Sequence, residues 1–255
     1  MKQRFALILI AFSCFTFTGC IEYIETLKLN KNGSGNYSMR IDMSGIMKDA
    51  FMKSMIEQSL EENELDLRNG QESLEMDSTT TFSDLPADVQ AQFDEYPGVL
   101  DRLTLRIKIS ESDEALFLDF NLDFEQFEEI DYVFNNMEKI LASGDDMPGS
   151  EVLDMMPGMG KDGLFKLSKG TLTRFSSQTD PSAMGISKDD LEMVKMMLGE
   201  ATFTSIYTFP GKVKKVSHEN SVISTDKKTV TTEVSYIDLL EGKANIDNMI
   251  KFKGK

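Results

Sequence analysis

No tryptophan occurs among the 255 residues, histidine occurs once and cysteine only twice. Each shortage removes a class of chemistry. The lone His218 cannot build a His-rich zinc site. Without a second histidine or a Gly-x-Ser-x-Gly turn, a Ser-His-Asp hydrolase has nothing in its favour. His218 itself lies in Ser217-His218-Glu219-Asn220, between two strand signals, and reads as a turn residue. The lack of tryptophan takes away a stacking platform for a sugar. Basic residues are also few: 27 Lys+Arg stand against 43 Asp+Glu, a net charge of −16 with no extended basic run. Neutralising phosphates needs clustered Lys and Arg, so nucleic acid is excluded as a partner. With 40% apolar and 27% charged residues, the chain is otherwise that of a globular protein.

The first residues form an address. Lys2 and Arg4 precede the apolar stretch 5–12, which is too short to span a bilayer and fits a cleaved export signal. The run ends in Phe17-Thr18-Gly19-Cys20, which resembles the lipobox of bacterial lipoproteins. That resemblance implies a signal peptide over 1–19 and a mature chain over 20–255. It also implies fatty-acyl (palmitate-type) modification of Cys20, which leaves no free thiol once Cys14 is removed with the signal. Ile21 rather than Asp follows the cysteine, which in that family implies the outer membrane, and the lack of an acidic or Lys-acidic cluster directly after it implies the leaflet facing the periplasm. The alternative is a plain secretory signal cut nearby, with Cys20 a free thiol. No Ser/Gly/Asn tether follows, so a strand is expected almost at once and the folded body should sit close to the bilayer.

Alternation of apolar and polar residues marks the strands. Residues 22–30 and 36–43 read as a hairpin turned by Asn32-Gly33-Ser34-Gly35. A second hairpin carries Leu103, Leu105, Ile107 and Ile109 on one arm and Leu116, Leu118, Phe120, Leu122 and Phe124 on the other. A third spans 164–175 and turns at Lys169-Gly170, and strands follow at about 201–209, 212–217, 221–225, 229–237 and 248–253. Helical spacing predicts helices over 46–60, capped by Ser44, over 127–141, and over 188–198 between Ser187 and Gly199. The expected fold is one α+β domain: a mostly antiparallel sheet of hairpins with amphipathic helices packed on one face. Two stretches break the rhythm. Residues 62–80 are polar and acidic, and 144–162 combine Gly, Pro and Met as a mobile loop.

Methionine is abundant, with 17 residues. A copper site would want His or Cys partners that are absent nearby, whereas flexible thioethers suit a groove that accepts apolar ligands of variable shape. The candidate ligand-binding residues are Met47, Phe51 and Met55 on the first helix and Met155, Met156 and Met159 in the loop, which would act as a lid. The carboxylates Asp119, Asp123, Glu125, Glu128, Glu129 and Asp131 are too numerous to single out an acid–base pair and read as a solvated face. Asp145-Asp146 and Asp189-Asp190 lack calcium-loop spacing. No metal, cofactor or catalytic group is therefore expected.

Phe203-Thr204-Ser205-Ile206-Tyr207-Thr208-Phe209-Pro210-Gly211-Lys212-Val213, followed by Asp226-Lys227-Lys228-Thr229-Val230, resembles the ending of the LppM-like lipoprotein domain. The start is similar too, with the lipobox cysteine and then Leu27-x-Leu29-Asn30-x-Asn32-Gly33-Ser34-Gly35. The resemblance covers about the first 40 and last 45 mature residues and leaves 60–200 unmatched. It implies a non-enzymatic, envelope-anchored protein of mixed α and β structure that binds a lipid or glycolipid, and it brings no functional residue with it. This chain lacks the C-terminal membrane helix of many members, because 237–255 is too polar. The expected function is a membrane-anchored lipoprotein that binds a lipid or another amphiphile. The alternative is a structural or interaction module of the envelope without a small ligand, and protein partners are left open.

Charge divides unevenly. Residues 20–162 hold 11 basic and 32 acidic groups, whereas 163–255 hold 14 and 11. Lys212, Lys214, Lys215, Lys227, Lys228, Lys251, Lys253 and Lys255 are thus expected to share a face toward anionic headgroups or an acidic partner.

Overall fold

The computed structural model describes residues 21–48, 53–54, 73–82, 90–91, 93, 95–96, 98–137, 163–176, 195 and 199–253. The strands in chain order are β1 Glu22–Leu29, β2 Gly35–Asp42, β3 Glu75–Thr81, β4 Leu103–Ser110, β5 Ala115–Phe124 and β6 Phe165–Ser168. They continue with β7 Thr171–Arg174, β8 Thr202–Thr208, β9 Val213–Lys215, β10 Ser221–Ile223, β11 Thr229–Ser235 and β12 Asn248–Phe252. Helices α1 Ser44–Lys48, α2 Glu128–Asn135 and α3 Tyr236–Leu240 lie between them. Eight strands form one sheet in the order β10-β11-β8-β1-β2-β5-β4-β3, and four form a second in the order β6-β7-β12-β9. All pairings are antiparallel except β1 with β8, which is parallel.

The alternation explains which face is buried. Leu118, Phe120, Leu122 and Phe124 of β5 are buried, while Asp119, Asn121 and Asp123 point the other way. Tyr37, Met39 and Ile41 of β2 and Phe203 and Tyr207 of β8 continue the same inner layer. The four-stranded sheet and α2 close over it. Phe165 of β6 meets Tyr37 and Tyr207 edge-on, with ring centroids 5.8 and 5.9 Å apart, and Phe134 of α2 lies 5.2 Å from Tyr37 and 5.1 Å from Phe120. Fully burying each such side chain contributes about 1.5–3 kcal/mol, so this shared layer is where the fold is held.

All three predicted hairpins are present with their turns. Gly35 opens β2 because a Cβ there would stand 2.1 Å from the Lys28 carbonyl oxygen and 2.5 Å from Phe124 Cζ. Four expectations are corrected. A second sheet, and not helices alone, covers the inner face, because the 164–175 hairpin and the C-terminal strand join each other and leave the large sheet. The polar stretch 62–80 contains β3, an edge strand whose Glu-Met-Asp-Ser-Thr-Thr-Thr sequence pairs with β4 through its backbone and its β-prone threonines. Ser44 does not cap α1: its hydroxyl accepts from the Leu116 N–H, and Asp42 Oδ1 takes the Ser44 N–H at 2.9 Å. The strand expected to reach 237 stops at Ser235, whose hydroxyl accepts the Asp238 N–H and starts α3. Beyond Lys195, the predicted helix 188–198 lies outside the described residues, as does loop 144–162.

Candidate functional site

Of the candidate binding residues, Met47 is buried at 8% exposure on α1, which packs on β5, and it lines neither described cavity. Phe51, Met55, Met155, Met156 and Met159 lie outside the described residues, as does Cys20. His218 sits in the turn before β10. Its Nδ1 accepts the Asn220 N–H, so the proton rests on Nε2, which donates to the Asn245 carbonyl at 3.0 Å. Both ring nitrogens are thereby used to fix the turn.

A buried polar cluster joins the two sheets. Glu25 on β1 is 0% exposed and Arg174 on β7 is 1% exposed. Arg174 Nη2 donates to Glu25 Oε2 at 2.8 Å, and Nε reaches both oxygens at 3.1 Å. The Tyr37 hydroxyl donates to Oε2 at 3.2 Å and the Tyr207 hydroxyl to Oε1, while Arg174 Nη1 donates to the Phe175 carbonyl. Tyr37 and Tyr207 stand opposite Leu27 on the strands flanking β1, one inward step beyond Glu25, which aims both hydroxyls at the carboxylate. Burial, followed by the Glu25 charge, pushes both phenols well above their ordinary pKa, so they remain donors. Every polar group of the cluster is satisfied from within, which makes it an interior tie and leaves it no free valence for a ligand. Sequence reading missed it, although a signal existed: Glu25 occupies the inward phase Tyr23, Glu25, Leu27, Leu29, and Arg174 the inward phase after Leu172.

The outer face of the large sheet has a shallow hollow of about 460 Å³ bordered by Thr26, Ser38, Arg40, Thr104, Arg106 and Asp119. Its cations are already used. Arg40 pairs with Asp119 on the facing strand, and Arg106 binds Asp77 through two bonds of 2.8 and 2.7 Å. Both guanidiniums also lie over Phe117, at 4.4 and 5.4 Å from its ring centre.

The end of the sandwich where β1, β6, β8 and β12 approach their turns differs in kind. A cleft of about 490 Å³ opens there. Leu29, Leu167, Pro210 and Phe252 supply its apolar wall, and Lys31, Lys169 and Lys253 stand around it. Phe252 is held from behind by stacking on Phe209, 4.6 Å between ring centroids. Backbone bonds fix the rim: Phe252 N–H to the Gly170 carbonyl at 2.9 Å, and Lys253 N–H to the Lys212 carbonyl at 2.8 Å. Gly211 lets the chain pass so close that a Cβ there would fall 1.9 Å from the Lys253 oxygen. Among the described residues no carboxylate lines the cleft, and Lys31, Lys169 and Lys253 have no ion pair with any of them.

No family model matches the chain, and no curated protein matches it. Among solved structures it is similar to the folded domain of LppM from Mycobacterium tuberculosis, determined by NMR, with 9% identity, 94% of this chain and 95% of that chain covered, and a TM-score of 0.38.

What the cleft can hold follows from its own residues. Lys169 takes φ +45° ahead of Gly170 at φ +76°, the pair of left-handed positions of a two-residue hairpin turn where Asn-Gly is the unstrained choice. Lys227, in the adjoining β10–β11 turn, is likewise left-handed at φ +62°. Lys228, next to it, has Asp226 as its charged neighbour. A lysine in this conformation is held at about 1–2 kcal/mol above its relaxed state. Among the described residues, the arrangement offers cations beside an apolar wall.

Proposed function

We propose that the chain is a lipid-anchored, non-enzymatic lipoprotein of the bacterial envelope that binds an anionic amphiphile, such as a fatty acid, phospholipid or acidic glycolipid, in the cleft between the β1–β2 and β6–β7 turns. The supporting observation is the union of an apolar wall (Leu29, Leu167, Phe252) with three lysines that have no ion pair with a described residue. The volume of about 490 Å³ suits part of a lipid molecule and lies within the range of small-ligand pockets. Each methylene that leaves water against that wall contributes about 0.8 kcal/mol, and the lysines select the anionic head. Anchoring rests on Cys20 after Phe17-Thr18-Gly19, and outer-membrane placement on Ile21.

Native mass spectrometry of the Cys20→Ser chain purified from cells tests the binding. An acidic amphiphile should accompany the protein and be lost from the Lys31→Gln/Lys169→Gln/Lys253→Gln variant. A protein that carries no lipid and gains none from an envelope extract contradicts the proposal. Cys20→Ser should also release the chain from membranes, and continued retention contradicts the anchor. A second reading, an interaction module, is favoured by β10, an edge strand of the large sheet whose Val222 is 68% and Ile223 36% exposed.

A further inference from the structure

The outer face of the four-stranded sheet carries a second, separate pattern of charge. Strand register places Lys166 beside Thr173 and Thr173 beside Met249, then Ser168 beside Thr171, Thr171 beside Lys251, and Lys251 directly opposite Lys215. Lys166, Met249 and Lys251 are exposed and their strand neighbours Phe165, Ile250 and Phe252 are buried, so these residues look outward together, and a register shift at Lys251/Phe252 brings the exposed Lys215 opposite Lys251 although Val213, two residues before it, is buried. Met249 is 46% exposed, and Phe175, one step beyond β7 in the phase of Thr171 and Thr173, is 43% exposed. No strand of this sheet contributes a carboxylate to the face, and Lys166, Lys215 and Lys251 have no ion pair with a described residue.

Like charges directly opposite one another across a strand pair are destabilising, and the usual remedy is a carboxylate on a neighbouring strand. Here threonines stand on the neighbouring strand instead. In a chain of net charge −16, a face whose four strands carry lysines and no carboxylate, with two exposed apolar side chains and with Asp247 only at its margin, where it accepts the Ser176 N–H, is the reverse of the average surface. We propose that this face docks on an anionic bilayer surface, with Lys166, Lys215 and Lys251 at the headgroups and Met249 and Phe175 at the acyl boundary. Charge complementarity singles out that occupant: an acidic protein partner would need a matching carboxylate ladder, whereas a lipid surface supplies mobile anions that adapt to the lysine spacing. The face borders the ligand cleft through Phe252 and Lys253, so docking would open the cleft beside the membrane. None of the three lysines lines the cleft, and the docking surface stands whether or not the cleft binds a ligand.

The test reconstitutes the full chain in phosphatidylcholine vesicles with and without about one third phosphatidylglycerol. Lysine acylation is then read residue by residue by mass spectrometry. On the anionic vesicles Lys166, Lys215 and Lys251 should react about five-fold more slowly or less, with Lys28 and Lys108 unchanged, and about 0.5 M salt should remove the difference. Equal acylation of the three on both vesicles overturns the proposal. Protection spread evenly over all lysines overturns it as well. Protection at Lys31, Lys169 and Lys253 alone would assign headgroup contact to the cleft and also overturn it.

Discussion

Replacing Arg174 by methionine removes the only cation from a cluster that holds Glu25 at 0% exposure. The carboxylate would keep two of its donors, the Tyr37 and Tyr207 hydroxyls, and lose the guanidinium bonds of 2.8 and 3.1 Å. Stranding a buried charge in this way costs about 3–5 kcal/mol. That is a large part of the 5–15 kcal/mol typical of a whole domain. For a chain of this size the loss corresponds to a fall in Tm of about 10 °C or more. Glu25→Gln strands the Arg174 cation instead and should cost a similar amount. The two changes made together remove both charges, so the double variant should be about 2–4 kcal/mol more stable than the sum of the singles implies. Urea unfolding at neutral pH, followed by far-UV circular dichroism on all four proteins, reads these values. An Arg174→Met protein within about 1 kcal/mol of the parent, or strictly additive singles, would refute the reasoning.

Three further outcomes follow from the same geometry. Burial holds Tyr23, Tyr37 and Tyr207 above their ordinary pKa, aided by Tyr236 at Tyr23 and by Glu25 at the other two. Above pH about 10 the unfolded chain therefore releases protons that the folded chain retains, and stability should fall with rising pH by up to about 1.4 kcal/mol per unit for each tyrosine; urea midpoints between pH 8.5 and 11 check this, and a flat profile contradicts it. Lys169→Asn should stabilise the fold by about 0.5–1 kcal/mol, because asparagine accepts the left-handed conformation, while weakening binding of an anionic amphiphile; thermal melts and ligand titration read the two effects separately. Gly211→Ala places a methyl group 1.9 Å from the Lys253 carbonyl oxygen and should cost about 1–3 kcal/mol while deforming the cleft rim, measurable by urea unfolding and by loss of ligand.

Most of the strands were legible because one face of each is buried, and burial imposes the two-residue period. β4, with leucines and isoleucines at alternate positions, and β5, with leucines and phenylalanines, could hardly be read otherwise. β3 was not legible: as an edge strand with Asp77, Ser78 and Thr79 exposed, it needs no apolar face, and its place is set by pairing with β4. Division into two sheets was hidden as well, because alternation reports which side of a strand is buried and not which strand lies beside it. Of the C-terminal lysines expected to share one face, only Lys215 and Lys251 are placed opposite each other by strand pairing, joined by Lys166 from the preceding hairpin, while Lys253 lines the cleft and no pairing places Lys212 or Lys214 with them. Lys227 and Lys228 sit instead in the β10–β11 turn, and Lys255 lies outside the described residues. The cleft was the least legible feature. Leu29, Lys31, Lys169, Gly211 and Lys253 lie far apart in sequence and meet only because β1, β6, β8 and β12 turn at the same end of the sandwich. The local hint was Lys169-Gly170, a turn in which lysine occupies the position that asparagine would fill without strain.

The claim that this cleft takes an anionic amphiphile is tested most directly by an amide-resolved NMR titration of the Cys20→Ser chain. The probes are lysophosphatidylglycerol and lysophosphatidylcholine, each kept below its micelle concentration. Saturable shifts at residues 29–33, 167–170, 210–211 and 252–253, much stronger for the glycerol headgroup, are the predicted result. Equal response to both headgroups, or shifts that leave those four segments untouched, would contradict it.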